Sequence, residues 1–124
     1  MQYVQTDKAP AAIGPYSQAV KVNGMVYTSG QIALTPAGEM PENDITVQTK
    51  QVLSNLTAVL EAAGSGLNKV IKTTIFLDSM DDFSAVNAIY AEAFGEHKPA
   101  RSTVAVKTLP KNALVEIDAI ALAE

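Results

Sequence analysis

Cysteine is absent from this chain of 124 residues, and histidine and arginine occur once each, as His97 and Arg101. Without cysteine the chain can form no disulfide, no thiolate nucleophile and no metal centre with cysteine ligands. A single histidine also excludes a metal centre that needs several imidazole ligands. We therefore expect the chain to act without a metal or any other cofactor.

Long apolar runs and clusters of basic residues are missing as well. No segment reaches the roughly 20 apolar residues of a membrane-spanning helix, and residues 1–10 lack the apolar stretch of a signal peptide. Thirteen acidic residues against nine basic ones give a net charge of −4, which argues against a nucleic-acid partner. These absences predict a cytoplasmic protein that contacts no membrane.

The residues that are present are typical of one globular domain over residues 1–124, with 48% hydrophobic and 18% charged residues. Turn residues, helix caps and apolar periodicity divide the chain into strands and helices. The predicted elements before the last quarter are an edge strand near Tyr3, a hairpin around Asn23-Gly24, a helix from Asp44 to Gly64, a strand over 69–77 and a helix from Asp81 to Gly95. We expect an α+β fold with one mixed sheet and both helices packed on one face.

The last quarter of the chain alternates apolar and polar residues on both sides of a turn at 109–112, which predicts a closing β-hairpin. In this hairpin one face belongs to the core and is formed by Val104, Val106, Val115, Ile117 and Ala119. The opposite face mixes charges with large apolar residues, namely Arg101, Thr103, Ala105, Lys107, Leu114, Glu116, Asp118, Ile120 and Leu122. A mixed face of this kind indicates self-association or a binding groove. A simpler alternative is a cross-strand ion pair between Arg101 and Asp118.

Several motifs resemble a known family. The segments P-A-R-S-T-V at 99–104 and L-V-E-I at 114–117 are similar to the signature of the Rid (YjgF-type) reactive intermediate deaminases. A-I-G-P-Y-S-Q-A-V at 12–20, Y-T-S-G-Q-I at 27–32 and D-F-S-A-V-N at 82–87 support the resemblance. It extends from about residue 9 to the end of the chain.

The resemblance implies a chorismate-mutase-like α+β fold and a homotrimer with three clefts between subunits. It also implies hydrolysis of enamines and imines, such as 2-aminoacrylate and 2-iminobutanoate, to 2-keto acids and ammonia without a cofactor. The carboxylate-binding arginine of the family falls on Arg101, and its water-orienting glutamate falls on Glu116. The other cleft positions are matched by Tyr16, Ser29, Gly30, Asn87 and Thr103. Some members have cysteine at the position of Thr103, where a hydroxyl can still donate a hydrogen bond.

Two other functions remain open at this point. The same cleft fits a sensor that binds a small keto or amino acid without turnover, and family members have also been described as RNA-directed translation inhibitors. Glu116 distinguishes the first alternative, because a protein that only binds a carboxylate needs Arg101 but no acid beside the reacting carbon. The acidic charge balance argues against the second alternative.

Overall fold

The computed structural model describes residues 1–123, which form six β-strands and two α-helices joined by turns and loops. The elements are β1 (Gln2–Val4), β2 (Ala19–Val22), β3 (Met25–Thr28), α1 (Ile45–Ala62), β4 (Val70–Leu77), α2 (Phe83–Phe94), β5 (Ala100–Ala105) and β6 (Val115–Leu122). All six strands belong to one sheet in the order β1-β2-β3-β6-β4-β5. Within residues 1–123, no helix is both long and apolar enough to cross a membrane.

The first hairpin and the edge strand are confirmed. Asn23 and Gly24 have φ angles of 52° and 75°, the left-handed conformation that a tight two-residue turn requires. Strands β2 and β3 therefore pair directly, with Val22 opposite Met25. Strand β1 then adds to the outer edge of β2 through the pairing of Tyr3 with Val20.

The predicted helices are present, but the start of the second one differs. In α1 the Asp44 carboxylate accepts a hydrogen bond from the Val47 backbone N–H at 3.0 Å, as an N-cap should. Before α2, a 3₁₀ turn covers Met80–Asp82, and the Ser79 hydroxyl accepts from the Asp81 N–H at 3.1 Å. The predicted cap at Asp81 is therefore wrong: Asp81 lies inside the 3₁₀ turn capped by Ser79, and α2 begins at Phe83 after Asp82, whose side chain makes no capping hydrogen bond.

The closing hairpin prediction is wrong. Strand β5 pairs in parallel with β4, and β6 lies on the other side of β4, antiparallel to both β3 and β4. A helix between two strands allows them to pair in parallel, and α2 connects β4 to β5 in this way. The predicted turn is instead a 3₁₀ turn at Pro110–Asn112, within a connection that carries the chain to the other side of β4.

The new strand order corrects the predicted faces of the last quarter. Val115, Ile117 and Ala119 lie in the core as predicted, with exposed fractions of at most 1%. Val104, also predicted to lie in the core, has an exposed fraction of 45%, and Val106 is only half-buried. Val104 pairs with Phe76 and so lies on the face of the sheet that no helix covers, and Val106 lies just beyond the end of β5 at the edge of the sheet.

The core lies between the sheet and its two helices, which pack on one face. Helix α1 contacts β6, β3 and α2, and the side chains between these elements are buried. The α+β architecture with a single mixed sheet and two helices is therefore confirmed. The opposite face of the sheet has no helix over it within residues 1–123, and it presents half-exposed or exposed side chains from four strands: Met25, Tyr27, Lys72, Phe76, Val104, Glu116, Asp118, Ile120 and Leu122.

Candidate active site in two halves

Arg101 lies on β5 and points toward the helices. It pairs with Thr73 of β4, whose side chain is fully buried on the helix side, and paired residues of neighbouring strands point to the same face. Its Nη1 donates a hydrogen bond to Asn87 Oδ1 of α2 at 2.8 Å. A guanidinium has five N–H donors, and this bond uses only one. Arg101 is therefore held by α2 while donors remain for a ligand.

Thr103 lies two residues further along β5 on the same side of the sheet. Its Oγ1 is buried and has no hydrogen-bond partner within residues 1–123. A buried hydroxyl without a partner loses its hydrogen bonds to water and gains nothing in return, so a polar ligand beside it is favoured. We call Arg101, Asn87 and Thr103 the arginine half of the site.

Glu116 lies on β6 and is in close contact with Gly30. A β-carbon on Gly30 would lie 2.7 Å from Glu116 Cδ, closer than such atoms approach each other in proteins. The φ angle of Gly30 is outside the left-handed region, so a larger residue here is opposed by the Glu116 side chain, which would have to move, and not by backbone conformation. Glu116 therefore packs directly on the backbone of the segment that follows β3.

A local break in the ladder between β3 and β6 brings Gly30 to this position. The ladder ends at the pairing of Tyr27 with Ile120 and resumes as a single bridge between Gln31 and Ile117. Between these points the Thr28 hydroxyl accepts a hydrogen bond from the Ala119 backbone N–H at 3.0 Å. Residues 29 and 30 thus bulge out of the ladder, and no backbone donor of β6 is lost at Ala119.

Ser29 and Tyr16 complete this side of the site. The Ser29 hydroxyl donates to the Ser17 carbonyl at 2.5 Å, which ties the bulge to the segment that carries Tyr16. Tyr16 has an exposed fraction of 55%, and together with Gly30 it lines an open cavity of about 350 Å³. We call Tyr16, Ser29, Gly30 and Glu116 the glutamate half of the site.

Gln18 supports the glutamate half, although it was not predicted from the sequence. Its exposed fraction is 3%, its Nε2 donates to the carbonyls of Thr6 and Pro10 at 3.1 Å and 2.8 Å, and its Oε1 accepts from the Thr6 N–H at 2.7 Å. These bonds fix the N-terminal segment that forms one wall of the cavity. Its role follows from its burial beside Ala19 in the folded chain, since a buried amide needs several polar partners.

Burial raises the pKa of the Glu116 carboxyl above its ordinary value, and the charge of Asp118 raises it further. The two carboxyls lie two residues apart on one strand and therefore on the same face of the sheet. Burial is also the main cause that raises the pKa of Asp118. A glutamate with a raised pKa gives up its proton closer to neutral pH, which suits it for moving protons.

The two halves do not meet within one chain. Arg101 is level with Thr73 and faces the helices, whereas Glu116 pairs with Phe76 and faces the opposite side of the sheet. The expectation that Arg101 and Glu116 share one face is therefore wrong, because it depended on the closing hairpin. The alternative ion pair between Arg101 and Asp118 fails for the same reason, since Asp118 pairs with Thr74 on the face of Glu116.

Comparison with known proteins assigns the chain to a family. The family model described as Endoribonuclease L-PSP matches residues 6–123. A RutC family protein of Synechocystis is 54% identical over 98% of this chain and 96% of its own length. The 2-iminobutanoate/2-iminopropanoate deaminase of Escherichia coli is 47% identical over 96% of this chain and 95% of its own length. The chain belongs to the Rid (YjgF-type) family.

Solved structures of this family have the same fold. The YjgF gene product of E. coli superposes with a TM-score of 0.94 at 45% identity and covers 100% of both chains. E. coli TdcF with bound serine superposes with a TM-score of 0.95 at 41% identity, again over 100% of both chains. Members of the Rid family thus include a protein named as an imine deaminase and one crystallised with an amino acid.

Proposed function

We propose that this chain hydrolyses reactive enamines and imines of small 2-amino acids, such as 2-aminoacrylate and 2-iminobutanoate, to the 2-keto acid and ammonia. The observation that carries the proposal is Glu116, a half-buried carboxyl with a raised pKa, held against the backbone of Gly30. A similar protein named 2-iminobutanoate/2-iminopropanoate deaminase and a similar structure with bound serine support the same class of substrate.

In this proposal the arginine half binds the carboxylate that all these substrates carry. The guanidinium of Arg101 can form two parallel hydrogen bonds to a carboxylate, since its contact with Asn87 uses one N–H donor. The unpartnered Thr103 hydroxyl is available to donate a further bond to the ligand. Tyr16 and the backbone of Ser29 and Gly30 bound the substrate on the side of the reacting carbon.

Glu116 performs the proton transfers. In the protonated form that its raised pKa favours, it gives a proton to the terminal carbon of the enamine and produces the imine. As a carboxylate it then takes a proton from water while the oxygen attacks the imine carbon. Glu116 passes the proton taken from water to the nitrogen of the resulting carbinolamine, and the C–N bond breaks to release ammonia. The hydroxyl gives its proton to the Glu116 carboxylate as the carbonyl of the 2-keto acid forms, while the proton given earlier to the enamine carbon stays on that carbon. Every atom comes from the substrate and one water.

The proposed site requires a second copy of the chain, because Arg101 and Glu116 lie on opposite faces of the sheet. We propose a homotrimer in which the arginine half of one subunit meets the glutamate half of the next. The sheet face without helices supports this arrangement, since Tyr27, Val104 and Leu122 have exposed fractions of 41% to 45% there. An apolar surface of this kind favours association with another protein surface.

The activity test uses an imine that a second enzyme generates in the reaction mixture. A serine or threonine dehydratase releases the enamine, and the rate of keto acid formation is followed with and without this chain. We expect faster release in proportion to the amount of the chain, unchanged after dialysis against a chelator. Binding of the keto acid without any acceleration would instead identify a sensor, and cleavage of added RNA without any effect on the imine would identify a ribonuclease.

The shared site has a separate test. Light scattering should report about three times the chain mass of 13.1 kDa. Arg101→Ala and Glu116→Gln homotrimers should each be inactive, whereas coexpression of the two variants should restore about a quarter of wild-type activity, because each mixed trimer then has one intact interface. No recovery in verified mixed trimers would show that both residues act from one subunit.

A further inference from the structure

Three residues on one face of α2 contact Arg101, the single arginine of the chain. Phe83, Asn87 and Tyr90 stand at helical spacings of four and three residues, which place them on the same side of the helix. The guanidinium carbon of Arg101 lies 4.9 Å from the centroid of the Tyr90 ring and 5.6 Å from that of Phe83. Both distances are within the range of about 6 Å in which an aromatic ring attracts a cation.

We propose that Tyr90, together with Phe83, is a positioning residue that fixes the guanidinium of Arg101 in the orientation in which it binds a carboxylate. The two rings restrict the position of the guanidinium, and the bond from Nη1 to Asn87 restricts its rotation. The identity of the bound carboxylate depends on the proposed function, whereas the ordering of Arg101 does not.

Tyr90 is itself held from two sides. Its exposed fraction is 7%, its hydroxyl hydrogen-bonds the Thr73 hydroxyl at 2.7 Å, and its ring stacks on Phe94 with the centroids 4.4 Å apart. Thr73 is fully buried and is the residue of β4 that pairs with Arg101. The Tyr90 ring is thus tied to the strand beside Arg101, and it offers the guanidinium a fixed surface.

Arg101 needs such a surface because its hydrogen bond with Asn87 is exposed to water. Asn87 is exposed, so water competes for its hydrogen bond with Arg101. An arginine side chain has several rotatable bonds, and their freedom is lost when a ligand binds. Two rings that hold the guanidinium before binding reduce this entropic cost and so favour affinity. The signal in the sequence was the spacing of Phe83, Asn87 and Tyr90.

Three variants separate positioning from packing. Tyr90→Leu removes the ring, Tyr90→Phe keeps the ring but loses the hydroxyl, and Val59→Ala weakens the same core from α1, where Val59 is fully buried. Calorimetry measures binding of a stable 2-keto acid to each trimer. We expect Tyr90→Leu to weaken binding by about 3- to 30-fold and to raise KM with little change in kcat. Tyr90→Phe should stay within about 2-fold of the wild type, and Val59→Ala should lower Tm without changing KM.

A second measurement reports on Arg101 directly and needs no substrate. Because the chain contains one arginine, protein labelled with ¹⁵N-arginine gives a single Nε–Hε NMR signal. We expect this signal to show an ordered side chain in the wild type and in Tyr90→Phe, and a mobile one in Tyr90→Leu. Phe83→Leu should cause a smaller loss of order. Because Phe83 is half-exposed, this variant also serves if Tyr90→Leu does not fold.

The outcomes of the two measurements are distinct. Equal Arg101 order in the wild type, Tyr90→Leu and Phe83→Leu would overturn the positioning role, whatever the substrate is. A mobile Arg101 in wild-type protein would overturn it too. If Arg101 order depends on the rings but the wild-type protein neither binds a keto acid nor hydrolyses an imine, the positioning role stands and the proposed function fails.

Discussion

The two halves of the site hold their functional groups by different means. In the arginine half, side chains from one face of α2 surround a flexible guanidinium. In the glutamate half, the backbone determines the geometry, because the bulge at residues 29 and 30 brings Gly30 against the Glu116 carboxyl. One half presents a permanent positive charge, and the other presents a half-buried acid whose pKa is raised.

The comparison shows which kind of substitution each half can tolerate. Side chains that surround a group can be replaced by others of similar shape, so the arginine half should respond in a graded way. The Gly30 backbone lies against the Glu116 carboxyl, so an added methyl group would displace the carboxyl. We therefore expect even a small substitution in the glutamate half to lower activity sharply. The halves should also differ in the kinetic constant they affect, because binding a carboxylate determines KM and moving protons determines kcat.

The largest effect is expected at Glu116, the proposed proton-transfer group. Glu116→Gln preserves the shape of the side chain but removes its acid–base function, so kcat should fall by about 100- to 10,000-fold. Binding of a stable 2-keto acid, measured by calorimetry, should change little, since Arg101 is intact. The matched control is Glu61→Gln, an exposed residue of α1. Full activity of Glu116→Gln would remove Glu116 from the mechanism.

The next largest effect tests the other half. Arg101→Lys retains the charge but not the paired donors, and each charged hydrogen bond lost should reduce kcat/KM by roughly 10- to 150-fold, mainly through KM. Tm, measured by calorimetry, should remain nearly unchanged. Lys107→Arg, the reverse exchange at an exposed position beyond the end of β5, is the matched control and should leave KM unchanged. Wild-type KM in Arg101→Lys would contradict carboxylate binding by two parallel bonds.

Much of the fold could be predicted because its signals are local. The turn at Asn23-Gly24 and the N-cap at Asp44 each depend on a few neighbouring residues, and the structure confirms both. The position of β6 could not be predicted in this way. Alternation determines which residues of a strand share a face, but it does not determine which strand lies beside it. A helix between β4 and β5 was the available indication of parallel pairing.

The same limit affected the site. The seven predicted residues fall into two groups with internal contacts, such as Arg101 with Asn87 and Glu116 with Gly30. The sequence motifs identified these residues individually, but the strand order decides on which face each of them lies. Arg101 is level with Thr73 and Glu116 with Phe76, two residues that point to opposite faces of β4, and the structure therefore places Arg101 and Glu116 apart. Gln18 and the aromatic neighbours of Arg101 were missed because their roles arise from tertiary contacts.

A smaller effect is expected from one added methyl group in the glutamate half. Gly30→Ala must displace the Glu116 carboxyl, and a misplacement of about 1 Å should lower kcat by roughly 10- to 100-fold. Gly66→Ala is the matched control, because the φ angle of Gly66 also lies outside the left-handed region and its new methyl would meet only the Asn68 side chain, at 3.0 Å. Activity is measured with the dehydratase assay. If both alanine variants have the same kcat, close packing of Gly30 on Glu116 has no catalytic role.

The smallest effect concerns the pH at which the glutamate half works. Burial and the charge of Asp118 both raise the pKa of Glu116 above its ordinary value of 4.5. The carboxylate that takes a proton from the attacking water should therefore form only at a higher pH than in an ordinary glutamate. The acid limb of kcat/KM reports the pKa of this group in the free enzyme. Asp118→Asn removes one negative charge, so the pKa of Glu116 should fall and the acid limb should move to lower pH.

Rates are measured from about pH 4 to 8 with an imine that needs no tautomerisation and with its generating enzyme in excess. Asp81→Asn, an exposed residue before α2, should leave the limb in place. A limb that stays fixed or rises in Asp118→Asn would mean that a group other than Glu116 controls it.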